Sequence, residues 1–162
     1  EHAPDDVEEA TVTPGNAPGM NDGAAATVVT SRAYAEEHGL DILAEISAYS
    51  VGATEPQDLF FAPVVAVRKL MEAEGTGIDD YGLVEMNEAF AVQALADAHE
   101  LGMDLDRVNV RGGAVALGHP IGASGTRILT TLLYAMRDRD VEKGLATLCL
   151  GGGNAVAMSV ER

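Results

Sequence analysis

The chain has 162 residues, the length of one ordinary domain, and 47% of them are hydrophobic, enough to build a core. Ten lysines and arginines face 26 aspartates and glutamates, and the net charge of −16 argues against nucleic acid, whose phosphates would be repelled. No apolar run approaches the roughly 20 residues a membrane span needs, no signal-peptide pattern opens the chain, and a single cysteine excludes an internal disulfide; cytoplasm is the expected compartment.

After an acidic leader, Thr11 to Gly19 is rich in Pro, Gly and Asn and reads as a turn. Asn21 or Asp22 is placed to cap an alanine-rich helix that runs to about His38, where Gly39 ends it. Ile42 to Tyr49 reads as a strand and Pro63 to Glu74 as a helix with Val64, Val67, Leu70 and Met71 on one side. Leu83 to Met86 is a short buried strand, and Asn87 to Leu101 a helix. Val108 to Leu117 reads as a strand leading into the glycine-rich run Gly118 to Gly125, and Ile128, Leu129, Leu132, Leu133 and Met136 mark one face of the helix that leaves it. Leu145 to Leu150 and Ala155 to Val160 are two further strands around Gly151-Gly152-Gly153. The alternation predicts an α/β fold, a five-stranded, mostly parallel mixed sheet with helices on both faces. Too few residues join the last two strands for a crossover, so the final strand is expected to be antiparallel.

The surface charge has a pattern of its own. Only Lys69 and Lys143 stand beside eight arginines. Dense carboxylates with little lysine fit adaptation to high salt, where the Debye length falls to about 3 Å at 1 M and like charges repel less. An acidic face for a basic partner is the other reading.

Three positions invite chemistry. His119, between Gly118 and Pro120, lies in a loop stripped of competing side chains; it either fills a turn or serves as a base or oxyanion donor, and the glycine density favours chemistry. Cys149 alone would read as a small core hydrophobe, but a strand end opening onto three glycines leaves the sulfur accessible and brings backbone N–H groups near it, which favours a thiolate. Asn87, at the corner after Met86, is either a helix cap or a holder of a water or oxygen at the sheet's carboxyl edge. The three follow three successive strands, so their corners are expected to share one crevice. His2, His38 and His99 read as solvated. Rival chemistries fail at named residues: His119-Pro120 stands where a phosphate loop needs Lys-Ser/Thr, and no dinucleotide fingerprint or zinc pattern occurs.

Asn87-Glu88-Ala89-Phe90, Gly113-Ala-Val-Ala-Leu-Gly118-His119-Pro120-Ile121-Gly122-Ala123-Ser124-Gly125 and Cys149-Leu150-Gly151-Gly152-Gly153 together resemble the thiolases. The stretch from Thr11 to Ala26 is similar to the segment just before that family's C-terminal domain. The resemblance implies a thiolase-like layered domain over residues 40–162, with residues 1–39 the acidic leader and the last helix of an N-terminal domain. It further implies a Claisen condensation of acetyl-CoA with acyl-CoA, or thiolysis of 3-ketoacyl-CoA, on coenzyme A thioesters and with no tightly bound cofactor or metal. His119 would activate the nucleophilic cysteine and donate to one oxyanion hole. Asn87 would hold that hole's water, Cys149 would be the acid/base, and the Gly151 N–H would serve the second hole. Phe90, Pro18 and Gly19 would touch substrate.

Two departures follow from the same resemblance. The family's nucleophilic cysteine belongs to an N-terminal domain, for which this sequence has neither residues nor a second cysteine. The expected partner is therefore an N-terminal half, attached or separate, within a homo-oligomeric dimer or tetramer; the lack of an initiator methionine favours attachment slightly. Pro18 also stands where many thiolases carry a serine near the pantetheine. The rival expectation is a non-catalytic subunit that binds acyl-CoA or scaffolds a partner.

Overall fold

A computed structural model describes residues 10–162. In chain order these form α1 (Arg32–Glu37), β1 (Glu45–Ala53), α2 (Ala62–Glu74), β2 (Leu83–Met86), α3 (Ala91–Leu101), α4 (Ala114–Leu117), α5 (Ser124–Arg139), β3 (Lys143–Leu150) and β4 (Asn154–Glu161). The acidic leader and His2 lie outside the described residues.

Among the described residues the sheet has four strands, not five, in the order β1-β4-β3-β2. β3 and β4 are antiparallel across the Gly151–Gly153 turn, as the short connection requires. β4 inserts between β1 and β3, so only β2–β3 is a parallel pairing, although β1, β2 and β3 all run the same way. The expected mostly parallel sheet is corrected accordingly: one antiparallel strand placed inside the sheet converts two of its three pairings.

The missing fifth strand has a local cause. Val108 makes a single parallel bridge to Val84, and the Asn109 N–H donates to the Val84 carbonyl at 2.9 Å. Asn109 then takes a positive φ of 47° and offers its side chain in place of the next strand residue. Its Oδ1 accepts from the Met86 N–H and its Nδ2 donates to the Met86 carbonyl, both at 2.8 Å. The ladder is completed by an amide side chain, the backbone turns away, and Ala114–Leu117 winds into a helical turn instead of extending.

The other differences also have physical reasons. β1 lies further along than Ile42 to Tyr49 because its register is set by β4, from Glu45 opposite Glu161 to Ala53 opposite Asn154. The first helix begins at Arg32, not near Asn21, because the Ser31 hydroxyl accepts from the Tyr34 N–H at 3.2 Å. The third begins at Ala91 with Phe90 as its extended cap, because Asn87 still belongs to the sheet and donates its N–H to the Thr147 carbonyl at 3.0 Å.

Helices cover both faces. Strand alternation sends Val84, Leu145, Ala155 and Ala157 to one side, where Val64, Val67 and Leu70 of α2 and Leu101 of α3 meet them. Leu83, Ala146 and Val160 point to the other, against Ile128, Leu132 and Met136 of α5. The i, i+4, i+8 spacing on α5 puts those three in one stripe, and all are buried.

Candidate active site

The carboxyl ends of β2 and β3 lie side by side, and the residues that follow them build the site. Asn87, immediately after β2, is fully buried and its Nδ2 lies 3.5 Å from His119 Nε2. The predicted meeting of these two residues is therefore observed. Asn87 is hydrogen-bonded to the sheet through the Thr147 carbonyl, and Cys149 lies two residues beyond Thr147 along β3. All three residues thus sit at one edge of the sheet.

The loop carrying His119 is clamped from several directions. On one side Gly118, with a φ of 92°, packs so closely on the Asn21 side chain that a Cβ would overlap it. The His119 N–H donates to the Gly19 carbonyl at 3.0 Å, and Ala91 donates to the Asn16 carbonyl at 3.0 Å. The segment before α1 is thereby strapped across the site, which brings Gly19 to His119 and leaves Pro18 half-buried beside it.

From beneath, the Glu88 carboxylate accepts from the Val115 N–H at 2.8 Å and from Asn109 Nδ2 at 3.3 Å. Gly113 gives that carboxylate its room, because a Cβ there would coincide with it. Gln93, buried on α3, accepts from the Ala89 N–H at 3.0 Å and donates to Asp97 at 2.5 Å, fixing the corner that presents Asn87. Phe90 is half-exposed and meets Phe60 edge to face, with centroids 5.2 Å apart. Gly151 is exposed with open space where a side chain would be.

Electrostatics separate the two titratable groups. Burial, and then the Arg127 guanidinium, hold the His119 imidazolium below its usual range, so the ring is neutral at neutral pH. Burial pushes the Cys149 thiol up, Asp97 adds to that push, and its own backbone N–H only partly opposes them. The glycine corner was expected to favour the thiolate, and this is corrected: the half-buried sulfur rests as a thiol, the form that can donate a proton. His38, at the C-cap of α1, and His99, in the last turn of α3, are exposed as expected.

Sequence reasoning assigned no role to Ser124, Glu88, Asn109, Gln93 or Asp97. A signal existed for the last pair: a Gln and an Asp four residues apart on a helix face that is otherwise apolar must find each other or another partner.

The arrangement joins a neutral imidazole, a buried carboxamide and a protonated thiol at the carboxyl edge of a mixed α/β sheet, the parts of a site for acyl transfer and proton transfer at carbon. Solved structures share the fold. The chain superposes on the Bacillus anthracis acetyl-CoA acetyltransferase with a TM-score of 0.90 and 47% identity, over 93% of this chain and 38% of that one. On human mitochondrial 3-ketoacyl-CoA thiolase in complex with CoA the TM-score is 0.84 at 34% identity, over 93% of this chain and 38% of that one. Among curated relatives, the acetyl-CoA acetyltransferase of Chromobacterium violaceum is 54% identical over 155 residues, 96% of this chain, and that of Escherichia coli 53% over 152 residues, 94% of it. Residues 40–162 match the family described as Thiolase, C-terminal domain, and the chain belongs to that family. It spans about 40% of the length of those relatives.

Proposed function

We propose that the chain is the C-terminal catalytic part of a thiolase, which works with an N-terminal part that supplies the nucleophilic cysteine. The reaction is the reversible Claisen condensation of acetyl-CoA with an acyl-CoA, or thiolytic cleavage of a 3-ketoacyl-CoA. The observation that carries this reading is the contact between His119 and Asn87 at the sheet edge where β3 ends in Cys149. On this reading residues 1–39 belong with the N-terminal part, residues 40–162 form the C-terminal domain, and no cofactor is tightly bound.

In cleavage, His119 Nε2 takes the proton of the nucleophilic thiol, and the thiolate attacks the 3-keto carbon. As the bond between the α and β carbons breaks, its electron pair moves onto the departing thioester as an enolate, and Cys149 protonates that carbon. The raised thiol range of Cys149 suits this step, because the resting residue keeps the proton it must give. In condensation the Cys149 thiolate, the form left once it has given its proton, removes the α-proton. His119 and the water held by Asn87 stabilise one oxyanion, and the Gly151 N–H serves the other; each such donor is worth about 3 kcal/mol of barrier. Phe90 and the Pro18-Gly19 turn line the approach for the substrate.

The test is thiolysis by the complete assembly with and without Cys149→Ala. A loss of about 10²–10⁴-fold in turnover is expected for removing a general acid/base. Unchanged turnover refutes the assignment and favours a binding or scaffolding subunit.

The same reading makes the assembly a cytoplasmic homo-oligomer, a dimer or tetramer, and its charge an adaptation to salt. With a net charge of −16, the fold should tighten as salt rises from low to molar. Circular dichroism across that series reads it, and a signal indifferent to salt removes the salt-adaptation proposal.

A further inference from the structure

We propose that Ser124 is a positioning residue that locks His119 in the tautomer protonated at Nδ1, so that the Nε2 lone pair faces the site as a base. The inference rests on the acyl-transfer reading above. Two ends of one hydrogen-bond chain fit the same tautomer. At one end, Ser124 Oγ donates to the Pro120 carbonyl oxygen at 3.1 Å, an atom that only accepts. Ser124 Oγ also lies 2.6 Å from His119 Nδ1, and a hydroxyl whose proton points to the carbonyl accepts there from an Nδ1–H. At the other end, Asn87 Nδ2 lies 3.5 Å from Nε2, and with the amide turned this way Nε2 meets it with a lone pair. A neutral imidazole has one N–H, and both contacts are met with it on Nδ1.

The lock is stiff. Ser124 is fully buried in the first turn of α5, out of reach of competing water. The Pro120 carbonyl also accepts from the Ala123 N–H at 2.7 Å and the Ser124 N–H at 3.0 Å, so the turn that carries acceptor and hydroxyl is closed by backbone bonds as well.

The consequence is an order of events. The Nε2 lone pair takes the proton of the nucleophilic thiol: the S–H bond breaks, its electron pair stays on sulfur, and an Nε2–H bond forms. The ring becomes an imidazolium whose Nδ1–H still rests on Ser124. Only then does Nε2 become a donor for an oxyanion. The opposite tautomer would present an N–H from the start and could not accept the thiol proton.

The experiment is ¹⁵N NMR of the complete assembly labelled at histidine, with the His119 signals assigned by their loss in His119→Asn, alongside thiolysis kinetics. At about pH 8 the native ring is expected to carry its proton on Nδ1. Ser124→Ala should lose that preference and lower kcat about tenfold while KM stays within about twofold. Ser124→Thr, which keeps the hydroxyl, should restore both. A native ring protonated at Nε2 overturns the proposal, and so does an unchanged tautomer in Ser124→Ala, whatever happens to kcat. Should Ser124→Ala fail to fold, the native protein and Ser124→Thr decide: Nδ1–H in both supports the lock, and Nε2–H in either refutes it. Absence of thiolysis in the native assembly counts against the acyl-transfer reading alone, because the tautomer is measured without turnover.

Discussion

Glu88 holds together the two loops that carry the site, and removing it should be measurable in both stability and turnover. Its carboxylate accepts from the Val115 N–H at 2.8 Å, next to the His119 loop, and from Asn109 Nδ2 at 3.3 Å. The short bond to this charged acceptor contributes about 1.5–3 kcal/mol, and the long one less than about 1. Glu88 is only partly buried, which screens the charge, so Glu88→Ala should cost about 2 kcal/mol. Gly113→Ala should cost about the same by the same route, because its Cβ would occupy the place of the carboxylate. The two losses are then one loss, and the double variant should stand about 2 kcal/mol below the native chain, not about 4. Urea unfolding of the chain, with midpoints compared at constant slope, measures this, and thiolysis by the assembly should fall in parallel as the His119 loop loosens. Additive losses, or a Glu88→Ala cost under about 0.5 kcal/mol, would refute the reasoning.

Two buried carboxyls yield pH-dependent expectations. Burial drives Glu85 up to about 7 despite Arg127 nearby, and both its oxygens lack partners. The folded state therefore binds the extra proton, and stability is full below about 4.5 and lost as pH rises through about 7. Glu85→Gln should consequently be neutral at pH 4 and stabilising at pH 8, by about 3 kcal/mol at most; equal effects at both pH values would contradict the assignment. Asp97, itself pushed up to about 6, helps to raise the Cys149 thiol. Asp97→Asn should increase iodoacetamide alkylation of Cys149, the chain's one cysteine, by about threefold, and only above about pH 6, where Asp97 is charged. A rate unchanged at pH 8 would remove Asp97 from the thiol's surroundings.

The residues that the sequence made legible are those whose local pattern also serves the tertiary structure. Leu83 to Met86 reads as a buried strand and is one, a short, mostly apolar run between Gly82 and Asn87 that is buried on both faces. The α2 stripe of Val64, Val67 and Leu70 is equally self-declaring. Where a side chain takes over a backbone role, pattern fails. Val108 to Leu117 alternates enough to suggest a strand, yet the Asn109 amide takes over the ladder at Met86 and frees the backbone to turn. No periodicity encodes that exchange. The position of β4 inside the sheet is hidden for a similar reason: a three-residue turn demands an antiparallel neighbour, but only the pairing with β1, more than a hundred residues distant, decides what lies on the other side.

The same distinction explains the site. His119, Cys149 and Asn87 stand out because glycine-rich corners have few functions besides making turns and admitting ligands. The groups that tune them do not stand out, since each acts through one contact at a distance in sequence. Ser124 is one serine in a helix start until its 2.6 Å contact with Nδ1 is seen, and Asp97 is one acid among many in an acidic chain until its burial is. Sequence thus reveals which atoms can do chemistry, whereas packing decides their protonation. For Cys149 that difference reverses the expectation: the corner that seemed to favour a thiolate pushes the thiol up, and the role proposed for it, protonating an enolate in cleavage, needs the thiol at rest.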